Sequence, residues 1–148
     1  MKKILTIGVA IIVFSLTLYL ILLTFYKPNG KVNKVKIDYG SSVKFDETEL
    51  KTAVNCVLTE FKEYKGCKLL NLWYDEEKSD YYLEEHFSNN DGGYSREDTI
   101  VLYSDFKVNF TGGVGGSFNP NSTYNNWVWV LTRDSKTDSW IVSSAGYL

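Results

Sequence analysis

The feature that most constrains this chain is an uncharged run near its N-terminus, from Ile4 to Tyr26. As a helix rising 1.5 Å per residue, the run would extend roughly 34 Å, enough to cross the hydrocarbon core of a bilayer. A cleaved signal peptide has a shorter apolar stretch of roughly 7 to 15 residues and a small-x-small cleavage site. We therefore predict a single-pass transmembrane anchor over residues 4–26, after a short basic N-terminus over residues 1–3. A long cleaved signal is the alternative.

The charges that flank the run do not settle its orientation. Two lysines precede it, and four follow it: Lys27, Lys31, Lys34 and Lys36. Charge counting alone would therefore keep the domain inside. However, long C-terminal domains translocate largely regardless of this bias, and a Lys-Lys start before an apolar run is usual for exported proteins. We expect a cell-membrane protein whose C-terminal domain is extracytoplasmic.

The rest of the chain is acidic and rich in aromatic residues. All 18 Asp and Glu residues follow Tyr26, but only 14 of the 16 Lys and Arg residues do. This balance argues against a nucleic-acid partner, which requires a basic face. Aromatic residues make up 16% of the sequence, which favours a sheet-rich domain with wide rings in its core. We predict one domain over residues 45–148, joined to the anchor by a connector over 27–44 in which Val35 and Ile37 indicate a short edge strand.

The clearest local signal in this domain is the start of a helix. Asp46 is a suitable N-cap, Glu49 completes a capping box, and Phe45 is placed to pack on the first turns as a hydrophobic staple. The apolar residues that follow have helical spacing: Leu50, Ala53, Val54, Val57, Leu58, Phe61 and Tyr64. The pattern predicts one long amphipathic helix that ends at Gly66 and packs its apolar face on the rest of the domain.

Beyond Gly66 the apolar period changes from 3.6 to 2, which indicates strands. The first strand places Leu70, Leu72 and Tyr74 on one face and Leu69 on the other. The longest alternation runs through residues 100–110, and we expect one of its faces to be buried and the other to meet water or a ligand. Two further strands, over 126–133 and 140–144, are joined by a turn of hairpin length. The simplest assembly is an α+β domain, in which one long helix packs across a curved antiparallel sheet.

The closing segment "WVWVLTRDSKTDSWIVSSAGYL" resembles the NTF2-like and cystatin-like α+β fold, in which a bent antiparallel sheet cradles one long helix and ends in a hairpin. The segments "NCVLTEFKEYKGCKLLNLWYDEEKSD" and "IVLYSDFKV" look like those of small uncharacterised anchored or secreted proteins of Gram-positive bacteria. The resemblance covers residues 46–146, and its motifs are structural, so it implies no catalytic residue. The wider superfamily includes isomerases, dehydratases and interaction modules, and the fold alone does not choose among them.

Two cysteines bear on the compartment. Cys56 falls in the predicted helix and Cys67 just after it, so a chain that turns back along the helix could bring the two side chains level. We predict a disulfide between them, and two unpaired thiols are the alternative. His86 is the only histidine and no metal-ligand spacing accompanies it, so we predict neither a metal nor a cofactor.

The side chains that could carry chemistry are weak candidates. His86 lies in an acidic, tyrosine-rich stretch over residues 75–87, and Asp105 lies on the polar side of the longest strand. Either could act as a base beside Tyr74 or Tyr103, and such a pair would suit proton abstraction next to a carbonyl. No spacing requires this pair, so we predict a non-catalytic module that binds a protein or the cell envelope. The alternative is a small-molecule binder, or an isomerase- or dehydratase-like enzyme, that uses the cavity between helix and sheet.

Overall fold

The computed structural model describes residues 2–25, 28–86, 95–113 and 117–147. Its helices and strands are, in chain order, α1 Lys2–Phe25, β1 Lys36–Asp38, α2 Glu47–Glu60, β2 Cys67–Tyr74, α3 Glu76–His86, β3 Thr99–Val108, β4 Thr123–Thr132 and β5 Ile141–Gly146. Short 3-10 turns cover Phe61–Glu63 and Arg96–Asp98. The predicted α+β class is confirmed.

The N-terminal element, α1, is a single helix of 24 residues. Within the part of the chain that the structure describes, no helix is found to be long and apolar enough for a membrane crossing. Tyr26, the end of the predicted anchor, lies outside the described residues. The anchor therefore stays a prediction of the sequence.

The five strands form one sheet in the order β1-β2-β3-β4-β5. β1 pairs parallel with β2, and the other three pairs are antiparallel. The sheet is therefore mixed, whereas the sequence predicted an antiparallel one. The difference arises because α2 is a crossover that returns the chain to β2 in the same direction as β1.

The predicted start of α2 is confirmed, but its end is not. The Asp46 side chain accepts a hydrogen bond from the Glu49 N–H at 2.8 Å, and the Glu49 carboxylate accepts one from the Asp46 N–H at 2.9 Å. The helix buries four residues of the predicted stripe: Leu50, Ala53, Val54 and Val57. It ends at Glu60 rather than Gly66, because the chain there tightens into the 3-10 turn. Gly66, whose φ is +77°, then leads the chain into β2.

Helices pack against both faces of the sheet. The main core lies between α2 and the sheet and includes Phe61, Leu72, Phe106, Trp129 and Leu131. A smaller core on the opposite face includes Leu83 of α3 and four sheet residues, Val101, Tyr103, Val128 and Val130. The sequence predicted water or a ligand on this second face. The acidic segment instead forms α3, which turns its Leu83 side to the sheet and leaves Glu77, Glu84 and Glu85 exposed to solvent.

A β-bulge explains a departure from the predicted alternation in β2. The sequence placed Leu70 on the same face as Leu72, with Leu69 on the other. In the structure the register shifts between Leu69 and Asn71, and Leu69 is fully buried in the main core together with Leu72. An inserted residue reverses which alternate side chains face the core, so Leu69 takes the place predicted for Leu70.

Candidate functional site

The two candidate tyrosines lie on opposite faces of the sheet, Tyr74 in the main core and Tyr103 in the smaller one. The Tyr74 hydroxyl donates to the Glu76 carboxylate at 3.3 Å, and the Tyr103 hydroxyl donates to the Lys78 carbonyl at 2.9 Å. Burial raises the pKa of Tyr74, and it raises the pKa of Tyr103 to about 12. Both hydroxyls therefore stay protonated near neutral pH and act as hydrogen-bond donors within the fold.

Asp105 connects irregular positions on the two strands that flank it. Its Oδ2 accepts from the Asn71 side-chain amide at 2.7 Å, and its Oδ1 accepts from the backbone N–H of Asn126 at 3.0 Å. Asn71 borders the bulge of β2, and Asn126 lies at a second register shift, between β3 and β4, with φ +54°. The carboxylate thus satisfies polar groups that the regular ladder leaves without partners.

We expect Asp105→Ala to destabilise the domain by about 2 kcal/mol, because two hydrogen bonds to a charged acceptor are lost at the bulges. Unfolding in urea, followed by tryptophan fluorescence, measures the change. Asp134→Ala is the matched control: the residue is exposed in the β4–β5 loop, and its replacement should stay within about 0.5 kcal/mol of the parent. Equal unfolding midpoints for the two variants would contradict the structural role of Asp105.

His86 is the last residue of α3, where its ring lies 4.5 Å from that of Tyr82. Among the described residues, no hydrogen bond or ring contact joins His86 to the two candidate tyrosines or to Asp105. The structure therefore does not bring the four candidates together in one site.

Both cysteines are free thiols, so the predicted disulfide is absent from the structure. The Cys56 thiol donates to the Trp140 carbonyl at 3.2 Å, whereas the Cys67 thiol lies 3.8 Å from the Lys65 carbonyl. The two side chains engage different parts of the fold, which is why they do not pair. Burial raises the pKa of Cys56, and it raises that of Cys67 to about 11.

These thiols are expected to react slowly, because the thiolate is the reactive form and both pKa values are raised. A maleimide should label the native protein at Cys56 and Cys67 far more slowly than a Thr59→Cys variant, in which the new thiol is exposed on α2. Mass spectrometry of the labelled protein gives the rates. A reductant should leave the unfolding midpoint unchanged. An unfolding midpoint that falls when reductant is added would show that Cys56 and Cys67 form a disulfide after all.

A buried arginine organises the end of the domain that contains the β4–β5 loop. Arg133 is 4% exposed, with its Nη2 2.9 Å from Glu49 Oε1 and its Nε 3.1 Å from Asp98 Oδ1. It also donates to two backbone carbonyls at 3.4 and 3.2 Å, and its guanidinium lies 4.3 Å from the Trp140 ring centre. Arg133 therefore ties the capping box of α2 to the 3-10 turn before β3 and to the closing hairpin.

A charged cavity of about 500 Å³ lies beside this arginine. Its lining mixes both signs of charge: Lys44, Arg96, Arg133 and Lys136 with Glu97, Asp98 and Asp134. Lys44 is paired with Asp80, and Arg96 lies 3.8 Å from Glu84. The enzyme hypothesis expects converging groups between α2 and the sheet, whereas this cavity lies at the loop end and three of its four cations, Lys44, Arg96 and Arg133, are engaged by neighbouring carboxylates.

A second cavity, of about 340 Å³, lies where the connector meets the sheet. It is lined by Pro28, three lysines and Phe110, together with small and amide residues. Among the described residues, none of those that line this cavity is acidic. The cavity is therefore a basic depression next to the chain segment that leads from α1.

The free edge of β5 is the surface best suited to binding another polypeptide. The strand has six residues without charge or proline, and no described strand pairs with its outer edge. Ile141 is 64% exposed, and Tyr147, just beyond the strand, is 58% exposed. The opposite edge, β1, has three residues of which Lys36 and Asp38 are charged. Short length and charged side chains are two features that protect a strand edge from pairing, and β5 has neither. Its pairing with β4 contains one register shift, between Val130 and Leu131.

Comparison with known proteins gives no information on the free edge of β5, so its role is inferred from its own residues. No family model matches the chain, and neither a curated protein nor a solved structure is significantly similar to it. The sequence predicted a strand over 140–144, which overlaps β5, but its edge position depends on pairing with residues far along the chain. The signal that was available is the absence of charge after Asp138.

Proposed function

We propose that this chain is a membrane-anchored, extracytoplasmic binding module that takes an extended segment of a protein partner as an added strand on β5. The single observation that carries the proposal is the uncharged outer edge of β5, with which no described strand pairs. In this mode of recognition, backbone N–H and C=O groups of the edge supply affinity. Side chains that flank the edge, here Ile141 and Tyr147, supply specificity.

The contacts of the candidate residues favour a binding module over an enzyme. Tyr103 and Asp105 hold hydrogen bonds within the fold, so their polar atoms are engaged without a substrate. An isomerase- or dehydratase-like enzyme needs a polar cavity between helix and sheet, but Phe61 and Trp129, both fully buried, fill that space. The NTF2-like and cystatin-like relationship stays a proposal that rests on the closing segment of the sequence.

The membrane part of the proposal is supported by the uncharged run from Ile4 to Tyr26. The full chain should float with lipid vesicles and resist extraction at alkaline pH. Charged residues at the centre of a span cost about 3 kcal/mol each, so the double variant Ile12→Lys/Leu16→Lys should be released. Quantitative recovery of the parent chain in the soluble fraction would contradict the anchor.

Site-specific photo-cross-linking in intact cells tests the proposed strand addition. A photoreactive residue at exposed Ser144 of the full chain should give a protein adduct of discrete mass, because an added strand lies within reach of this position. Ala145→Lys places a charge on the edge and should abolish the adduct. The matched control, Thr137→Lys in the neighbouring loop, should leave it unchanged. An adduct that survives Ala145→Lys would contradict binding at β5, and an adduct to a non-protein envelope polymer would overturn the protein partner.

A further inference from the structure

Three lysines lie side by side across the sheet, at the end nearest the connector. Lys31 forms a parallel bridge with Lys68, and Lys68 is the antiparallel partner of Lys107. Directly paired residues in a sheet have Cα atoms about 5 Å apart. All three side chains are exposed, because the residues beside them in the chain face the main core. We call Lys31, Lys68 and Lys107 the lysine rung.

The lysine rung has no carboxylate partner among the described residues. In the part of the chain that the structure describes, no ion pair joins any of the three ammonium groups to a carboxylate. Asp105, two residues before Lys107, has both oxygens engaged by Asn71 and Asn126. Thr123 pairs with Lys107 on the other side. Like charges placed directly opposite each other destabilise a sheet, so an anion beside the rung would relieve the repulsion.

The position of the lysine rung indicates which anion it meets. The rung lines the cavity of about 340 Å³ together with Pro28 and Phe110, and Phe110 is 67% exposed. The Pro28 carbonyl accepts a hydrogen bond from the Gly66 N–H at 2.7 Å, which fixes the start of the domain beside β2. α1 ends at Phe25, and three residues of chain span at most about 11 Å. The basic cavity therefore lies close to the end of α1.

We infer that the lysine rung and Phe110 form a docking surface for the anionic phospholipid headgroups of the membrane that holds α1. The inference rests on the proposed membrane anchor. The ammonium groups contact headgroup phosphates, and the Phe110 ring enters the apolar boundary beneath them. α3 carries five carboxylates, Glu76, Glu77, Asp80, Glu84 and Glu85, and packs toward the other end of β3. An anionic surface therefore attracts one end of the domain and repels the other, which sets the orientation of the domain on the membrane.

Amine labelling of the full chain in vesicles tests the docking surface. Each lysine near an anionic surface contributes about a five-fold preference, so the rung should favour the docked state about 100-fold. Labelling of Lys31, Lys68 and Lys107 should therefore be at least about ten-fold slower in vesicles containing phosphatidylglycerol than in phosphatidylcholine vesicles. Lys51 and Lys78, which lie elsewhere and are exposed, should react equally in both. Lys68→Gln/Lys107→Gln should abolish the protection of Lys31, and the equally charged control Lys51→Gln/Lys136→Gln should retain it.

The outcomes separate the docking surface from the anchor. A chain that floats with both kinds of vesicle, but whose rung lysines react equally fast in both, overturns docking and leaves the anchor intact. A chain that floats with neither overturns the anchor first. Inorganic phosphate, added to the neutral vesicles against a matched chloride control, should give no comparable protection. Protection by phosphate equal to that in anionic vesicles would assign the rung to a free anion and overturn the membrane surface as its ligand.

Discussion

Replacement of Arg133 by methionine is expected to destabilise the domain by about 3 to 5 kcal/mol. The guanidinium is buried, and it is the partner of two carboxylates, at 2.9 Å from Glu49 and 3.1 Å from Asp98. Methionine fills much of the same volume but leaves without their cation two carboxylates that are only 11% and 24% exposed, and an uncompensated charge with so little access to water is costly. Chemical unfolding in urea or guanidinium chloride gives the free energy directly.

The control for this prediction also removes the two carboxylates that Arg133→Met leaves without a cation. In the triple variant Arg133→Met/Glu49→Gln/Asp98→Asn, the carboxylates are replaced by neutral amides, so more than half of the lost stability should return. Gln at position 49 can still accept the hydrogen bond that completes the capping box. A triple variant that is no more stable than Arg133→Met would show that lost packing, rather than unpaired charge, explains the effect.

Low pH should destabilise the domain through the same ion pair of Arg133 and Asp98. The hydrogen bond from Ser95, together with the Arg133 guanidinium, holds the pKa of Asp98 below its usual range. A carboxylate with a lowered folded-state pKa stabilises the fold fully above its unfolded pKa and loses that contribution as the pH falls through the folded value. The unfolding free energy should therefore decline below about pH 4, and the decline should be smaller in Asp98→Asn. An unchanged acid dependence in that variant would contradict the assignment.

The second large effect is expected at Phe61. Its side chain is fully buried and contacts the rings of Tyr64, Phe106 and Trp129, with ring centres 5.2, 5.6 and 6.3 Å away. Phe61→Ala leaves a cavity lined by large rigid rings that cannot close over it, so the expected cost is about 3 to 5 kcal/mol. Thermal and urea unfolding measure it.

Phe110→Ala is the matched control for Phe61→Ala, since the same side chain is removed from a site that is 67% exposed. In the absence of membranes it should change the unfolding free energy by no more than about 0.5 kcal/mol. Similar losses for the two phenylalanines would contradict the position of the main core.

Local signals in the sequence predicted the parts of the fold that depend on neighbouring residues. The capping box at Asp46 and Glu49 and the buried stripe of α2 follow from spacing within one helix, and both are confirmed. The place of Leu69 was predicted wrongly, because a bulge depends on what the adjacent strand offers, here the Asp105 carboxylate. The parallel pairing of β1 was missed for a similar reason, since it is set by the crossover through α2 rather than by the three residues of the strand.

The candidate surfaces were harder to predict from the sequence, because they combine residues that are distant in the chain. The lysine rung joins residues 31, 68 and 107, which are brought together only by strand register. Arg133 gave no signal as a buried cation, because its partners Glu49 and Asp98 come from distant segments. His86 was a candidate base because it is the only histidine, yet it lies at the end of α3 beside Tyr82. Residue type alone therefore identified side chains that are capable of chemistry, whereas the fold determines which of these side chains contact each other.

Thiol labelling of the full chain in intact cells tests the membrane-anchored, extracytoplasmic module most directly. In a background with Cys56→Ala and Cys67→Ala, a cysteine at exposed Thr59 should react with a membrane-impermeant maleimide as fast before lysis as after it. A cysteine at Lys3, on the other side of the proposed span, should react only after lysis. Labelling of the Thr59→Cys variant that appears only after lysis, with Lys3→Cys labelled in intact cells, would place the domain inside and contradict the account.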